Sequence, residues 1–124
     1  MQIRIYYEDT DAGGIVYHSN YLKYCERARS EMFFKKKILP IINNTHFVVR
    51  KIECDFIKSA RFGDILKVDT KIIEFRSASF LLEQIIKIDA NIIFTAKVLL
   101  VFAKDGKPKR IDKNTKELLE LLFI

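Results

Sequence analysis

Apolar and polar positions first alternate along this chain, then recur with a helical period, then alternate again. Ile3, Ile5 and Tyr7 interleave with Arg4, Tyr6 and Glu8, the period of two expected of a half-buried strand. Over residues 20–37 the apolar positions Tyr21, Cys25, Ala28 and Met32 are spaced four, three and four apart, which predicts a long amphipathic helix. Ser19 or Asn20 can cap it, Glu26, Arg27, Glu31 and Lys35 supply its polar side, and Pro40 closes it. Strand patterns then cover 47–56, 65–75, 80–88 and 92–103, the last two joined by a tight turn at Asp89-Ala90-Asn91. Asp105-Gly106-Lys107-Pro108 is a second turn signal, and a short helix over 114–122 ends in leucines.

Strand, long helix, then four or more antiparallel strands is an α+β order, a curved sheet wrapped around one central helix. With 124 residues, 49% hydrophobic and 31% charged, the chain reads as one domain spanning 1–124, neither disordered nor membrane-embedded. Ile85-Ile86 and Val98-Leu99-Leu100-Val101-Phe102 are apolar on both faces, and only one face can meet the helix. The other face is therefore expected under a second subunit or the terminal helix, which predicts a homo-oligomer.

A net charge of +6 calls for an anionic partner without naming it: nucleic acid, lipid headgroups, an acidic carrier protein or a phosphorylated cofactor all qualify. No apolar run approaches the roughly 20 residues of a membrane helix, and no signal-peptide pattern opens the chain, so the expected compartment is cytoplasmic. Cys25 and Cys54 lack a nearby His or Cys at ligand spacing and read as packing thiols rather than a zinc or redox pair.

The densest chemistry lies at the strand-to-helix corner, Tyr7-Glu8-Asp9-Thr10-Asp11-Ala12-Gly13-Gly14-Ile15-Val16-Tyr17-His18. Two acids before a helix can simply complement its dipole. They also echo the start of a calcium loop, but Gly13 and Asn20 then fall where an acidic or amide ligand and a bidentate Glu belong, so no metal is expected. The third reading is acyl chemistry. An ionised carboxylate is a weak general base yet a competent nucleophile toward a thioester. The free amides of a helix start can hold the developing oxyanion, and the Gly pair lets backbone approach the substrate. His18 can orient water or shuttle a proton, or merely bond a neighbouring carbonyl at the helix entry. His46 precedes a strand and reads as structural. No serine nucleophile elbow and no phosphate-binding glycine loop occurs.

Tyr7-x-Asp9-Thr10-Asp11-x-x-Gly14-Ile15-Val16-Tyr17-His18-x-Asn20-Tyr21-Leu22, with the second block Asp55-Phe56-Ile57-Lys58-Ser59-Ala60-Arg61-Phe62-Gly63-Asp64, resembles the hotdog-fold acyl-CoA thioesterases of the 4-hydroxybenzoyl-CoA thioesterase family. Within that family the motif resembles the YbgC-type branch, which is associated with the Tol–Pal system of Gram-negative bacteria. The resemblance implies a single hotdog domain that hydrolyses acyl-CoA or acyl-carrier thioesters to free acid and thiol. It places catalysis on Asp11, with Asp9 in support, the His18 amide on the thioester carbonyl, and the His18 side chain assisting. Tyr17, Gly14 and Asn20 would shape the oxyanion and substrate site. Lys58 and Arg61 would meet coenzyme A phosphates, coenzyme A being substrate rather than cofactor. A homodimer or homotetramer is implied, with acyl carrier protein and the inner membrane surface as further partners and no role for nucleic acid. Ser59 stands where relatives often carry Pro.

The rival reading is a non-catalytic module that holds acyl carrier protein or an anionic membrane. Its motivation is the positive charge and the tail Leu118-Leu119-Glu120-Leu121-Leu122-Phe123.

Overall fold

The computed structural model describes residues 1–123; the last position of the expected 1–124 domain lies outside them. In chain order the elements are β1 (Gln2–Arg4), a 3-10 turn (Tyr7–Asp9), α1 (Asn20–Phe34), β2 (Ile41–Ile42), β3 (Thr45–Phe56), β4 (Ile65–Phe75), β5 (Ser79–Ile88), β6 (Asn91–Lys104), β7 (Lys107–Pro108) and α2 (Lys113–Leu122). The strands form one antiparallel sheet in the order β1-β4-β5-β6-β3-β2, with β7 added on β6. The sheet curls around α1, the hotdog arrangement.

Alternation explains which side of each strand faces the helix. Phe80, Leu82, Gln84 and Ile86 of β5 and Phe94, Ala96, Val98, Leu100 and Phe102 of β6 are buried. They meet Tyr21, Tyr24, Cys25, Ala28 and Phe33 of α1. Each large apolar side chain so buried is worth roughly 1.5–3 kcal/mol. Phe123, just beyond α2, closes one end against Phe33 and Phe80 at ring separations of 5.9 and 6.3 Å.

Several expected elements change. The first strand stops at Arg4, because the Asp9 carboxylate takes the Tyr6 N–H at 2.8 Å and curls Tyr7–Asp9 into a turn that leaves Tyr7 exposed. Helix α1 ends at Phe34 rather than 37. The Ile38 N–H bonds the Phe33 carbonyl (3.3 Å), the Lys37 N–H bonds that of Phe34 (2.9 Å), and Lys37 sits at φ +59°. This is a Schellman stop in which a lysine occupies the usual glycine position. Met32 is only half-buried, and Tyr24 and Phe33 join the apolar face instead. Neither Ser19 nor Asn20 caps α1 with its side chain. The short strand β2 was not anticipated; Asn43 and Asn44, at φ +50° and +62°, make the two-residue turn that pairs it with β3. At α2 the Asp112 side chain caps the Thr115 N–H at 2.7 Å.

The terminal helix packs on the same side as α1, with Leu119, Leu122 and Phe123 in the core beside Phe33 and Phe80, so among the described residues it does not cover the outer sheet face. That face carries instead a row of alternating charge, Lys71, Glu83, Lys97 and Glu53, each opposite the next on neighbouring strands. Lys71 and Glu83 approach to 3.3 Å. Directly behind this row, on the inner face, Gln84 is fully buried. It donates to the Cys25 carbonyl (2.9 Å) and to Thr70 Oγ1 (3.0 Å), and accepts from Arg29 Nη1 (3.0 Å). Burial lowers the pKa of Arg29, and burial raises that of Cys25 to about 12.

Candidate active site

The acid-rich corner is a loop tied into a knot at Asp9. The Asp9 carbonyl accepts from the Tyr17 N–H (3.0 Å) and from Asn20 Nδ2 (2.9 Å), so both ends of the loop and the first turn of α1 converge on it. Its carboxylate accepts from the Tyr6 N–H on one oxygen and from the Tyr24 hydroxyl on the other, both at 2.8 Å. Tyr24 lies one helical turn beyond Asn20, so a single ridge of α1 grips Asp9 twice. Sequence reading missed Tyr24; the i,i+4 pairing of Asn20 with a second polar-tipped residue was the available signal.

Asp11 is held differently. Its N–H bonds the Ile15 carbonyl (2.9 Å), its carbonyl accepts from the Gly14 N–H (3.0 Å), and Oδ1 accepts from the Gly13 N–H (2.8 Å). Among the described residues no donor meets Oδ2, and the side chain is exposed. A Cβ added at Gly13 would stand 3.2 Å from Asp11 Oδ1, and Gly14 turns the loop at φ +78°. The Gly pair thus lets the backbone fold back on the acid it presents.

The loop returns through a bridge between Thr10 and Val16 and a second between Ile15 and Arg61. The Ala60–Asp64 connection therefore lies alongside the acid. It is braced by the Tyr21 hydroxyl, which accepts from the Ala60 N–H (3.0 Å), and by Asp64, which accepts from the Arg61 N–H (2.8 Å). Burial, the largest cause, raises the Tyr21 pKa. Arg61 is next to the loop with its side chain exposed; Lys58 is exposed three residues earlier, with its N–H on the Ile93 carbonyl (3.0 Å).

At the helix entry the Asn20 N–H returns to the Tyr17 carbonyl (2.9 Å). Among the described residues the His18 and Ser19 amides meet no backbone acceptor, so donors are open at this end of α1. The His18 ring is exposed, 4.5 Å from the Tyr17 ring and 6.1 Å, edge-on, from Phe56. Tyr7 stacks on Phe62 at 4.1 Å beside the loop. Asp11, Gly14, Tyr17, His18 and Asn20 thus share one corner. Asn20 turns its side-chain amide to the Asp9 carbonyl. Among the described residues no group of three His, Cys, Asp or Glu side chains is placed to hold a metal ion.

A cleft of about 430 Å³ opens at the other end of α1, lined among others by Glu26, Arg29, Phe33, His46, Phe47 and Phe123. It runs beside the edge strand β3, whose side away from β6 is paired, among the described residues, only by β2 at His46 and Thr45.

Comparison with known proteins agrees with this fold. The family model of the thioesterase superfamily matches residues 13–92. An acyl-CoA thioesterase YbgC of Helicobacter pylori is 44% identical over 116 residues, covering 93% of this chain and 87% of that protein. An acyl-CoA thioester hydrolase YbgC of Escherichia coli is 39% identical over 119 residues, with coverages of 90% and 88%. The crystal structure of a probable thioesterase from Bartonella henselae, 33% identical, superposes with a TM-score of 0.84 over 90% of this chain and 97% of that one. An exposed carboxylate on a glycine-turned loop, set against a helix start on a hotdog scaffold, and these likenesses together assign the chain to the thioesterase superfamily.

Proposed function

We propose that this thioesterase hydrolyses acyl-coenzyme A thioesters, with Asp11 as the reacting carboxylate. The observation that carries the reading is Asp11 itself. One oxygen is pinned by the Gly13 N–H, the other is open, and the loop that bears it ends at the uncommitted amides of His18 and Ser19. A thioester carbonyl carbon placed against Oδ2 would direct its oxygen to those amides, which stabilise the negative charge as it develops. Asp11 either bonds to that carbon, expelling the thiolate and leaving an anhydride that water cleaves, or takes a proton from water as that water attacks. In this reading the exposed His18 ring passes a proton to the departing sulfur. The relatives' names support coenzyme A as the carrier of the acyl group, and Arg61 and Lys58 supply positive charge beside the loop.

The active unit in this reading is a homodimer. Support comes from the open side of β3, which exposes Val48, Val49 and Phe56. Antiparallel self-pairing centred near Lys51 sets the His18–Phe56 end of one protomer beside the His46 cleft of its partner, giving the acyl group a wall.

Thiol release from a panel of short, aromatic and long-chain acyl-CoAs tests the activity. Asp11→Asn should lower kcat by about a hundredfold or more; retention of activity in that variant removes Asp11 from its role. Release of no thiol from any of the panel leaves the reading without support. Single turnover in ¹⁸O water tests the covalent route, since label found in the Asp11 carboxylate requires an anhydride cleaved by water at the aspartyl carbon.

A further inference from the structure

We propose that Tyr24 is a positioning residue for the reaction, acting through Asp9 to set the Asp11 carboxylate relative to the amides at the start of α1. The inference rests on Asp11 being the reacting group. Tyr24 is 1% exposed, and its hydroxyl is committed to Asp9 Oδ1 at 2.8 Å. A phenylalanine would fill the same space without bringing a carboxylate toward the core, and buried polar pairs of this kind are poor sources of stability compared with apolar packing. What the hydroxyl supplies is direction. Burial and the adjoining carboxylate both raise the phenol's pKa, so it remains a donor throughout the neutral range.

The consequence follows from what Asp9 joins. Its carbonyl receives the Tyr17 N–H, which closes the loop immediately before His18, and Asp11 follows it by two residues. The hydrogen bonds Asp11 makes are all to Gly13, Gly14 and Ile15, inside the loop. The hook carrying the acid meets the helix through the Asn20 N–H on the Tyr17 carbonyl and through Val16, Ala60 and the Tyr21 hydroxyl, and Asp9 adds the tie nearest to the acid, two residues before it. Tyr24 and Asn20, gripping Asp9 from one ridge of α1, therefore help set the separation between nucleophile and oxyanion donors without touching substrate. Loosening them degrades the geometry of the transition state and leaves ground-state binding intact.

Kinetics of Tyr24→Phe, Asp9→Asn and the double variant, on a good acyl-CoA substrate, provide the test. The expected result is a fall in kcat of about tenfold or more in each single variant, KM within about twofold, and a double variant no slower than the worse single. Thermal unfolding measured in parallel should show Tyr24→Phe folded and close to the parent Tm. A purely structural tyrosine would instead change Tm and the active fraction while leaving kcat per folded molecule unchanged, or would give additive losses, and either result overturns the proposal. Asp11→Asn in the same assays separates the two claims: an active Asp11→Asn enzyme removes the reacting group itself. Should no thioester be cleaved, the amide NMR signals of Gly13, Tyr17 and His18 still decide, because Tyr24→Phe must shift all three, and unmoved signals reject the linkage.

Discussion

At the scale of single residues, polar groups taken out of water set the sharpest expectations. Gln84 is completely buried, and its side chain satisfies Arg29, Thr70 and the Cys25 carbonyl at once. Gln84→Leu would keep the volume but leave the half-buried Arg29 without this acceptor. It should cost about 1–3 kcal/mol in urea unfolding, and an unchanged midpoint would mean that Arg29 finds another acceptor. Cys25 makes a pH-dependent prediction. Burial raises its thiol from 9.0 to about 12. The unfolded thiol ionises first, so its contribution to stability is complete below pH 9 and is lost as pH rises toward 12. A thiol reagent at pH 8 should reach Cys54 in the native protein and Cys25 only after unfolding. Rapid native modification of both would show that α1 opens locally. Gly14 turns through φ +78° with open space around it, so Gly14→Ala should lose about 1–2 kcal/mol from backbone strain alone.

At the scale of elements, the period of the pattern was legible and the ends were not. For Ile65–Phe75 the pattern marks the strand to the residue, and for β5 and β6 to within a position at each end, because long runs rich in β-branched and aromatic residues bounded by turn signals leave no second interpretation. The expected 20–37 helix overran because helix propensity does not register the left-handed residue that ends it. Lys37 occupies that position at φ +59°, so Lys37→Gly should stabilise the protein by about 1 kcal/mol, readable as a rise in Tm of a few degrees. Strand β2 escaped notice because two residues have no period; only the Asn43-Asn44 pair betrayed it. The corner was legible in its chemistry, since Asp9, Asp11, Gly14 and His18 are adjacent in sequence. Its mechanical part was not, because Tyr24 reads as one more ring on an apolar helix face until the structure brings its hydroxyl to Asp9.

At the scale of the whole molecule, a sheet edge and a charge distribution set the expectations. Residues 104–116 hold six of the 22 basic side chains against two acids, at Asp105 and Asp112. Positive charge is thus concentrated on the β6–β7 turn and the start of α2. The open side of β3 predicts a dimer by sedimentation at micromolar concentration. Val48→Asp, which puts a charge on that edge, should shift the protein toward monomer and reduce activity in step. A parent enzyme that sediments as an active monomer would dismiss the assembly.

The two polar rows on opposite faces of the sheet have a consequence for how the chain finds its register. Strands β5 and β6 are long, and a slip of two residues would preserve which side chains point inward, so hydrophobic patterning alone does not forbid it. Thr70, Gln84, Ala96 and Cys54 lie across the inner face, and the row Lys71, Glu83, Lys97 and Glu53 lies one residue along on the outer face. A slipped β5 would set Glu83 against Leu99 or Thr95 and carry Gln84 away from Arg29 and the Cys25 carbonyl. Both faces therefore penalise the same error at the same point, where β5 sits between its two neighbours.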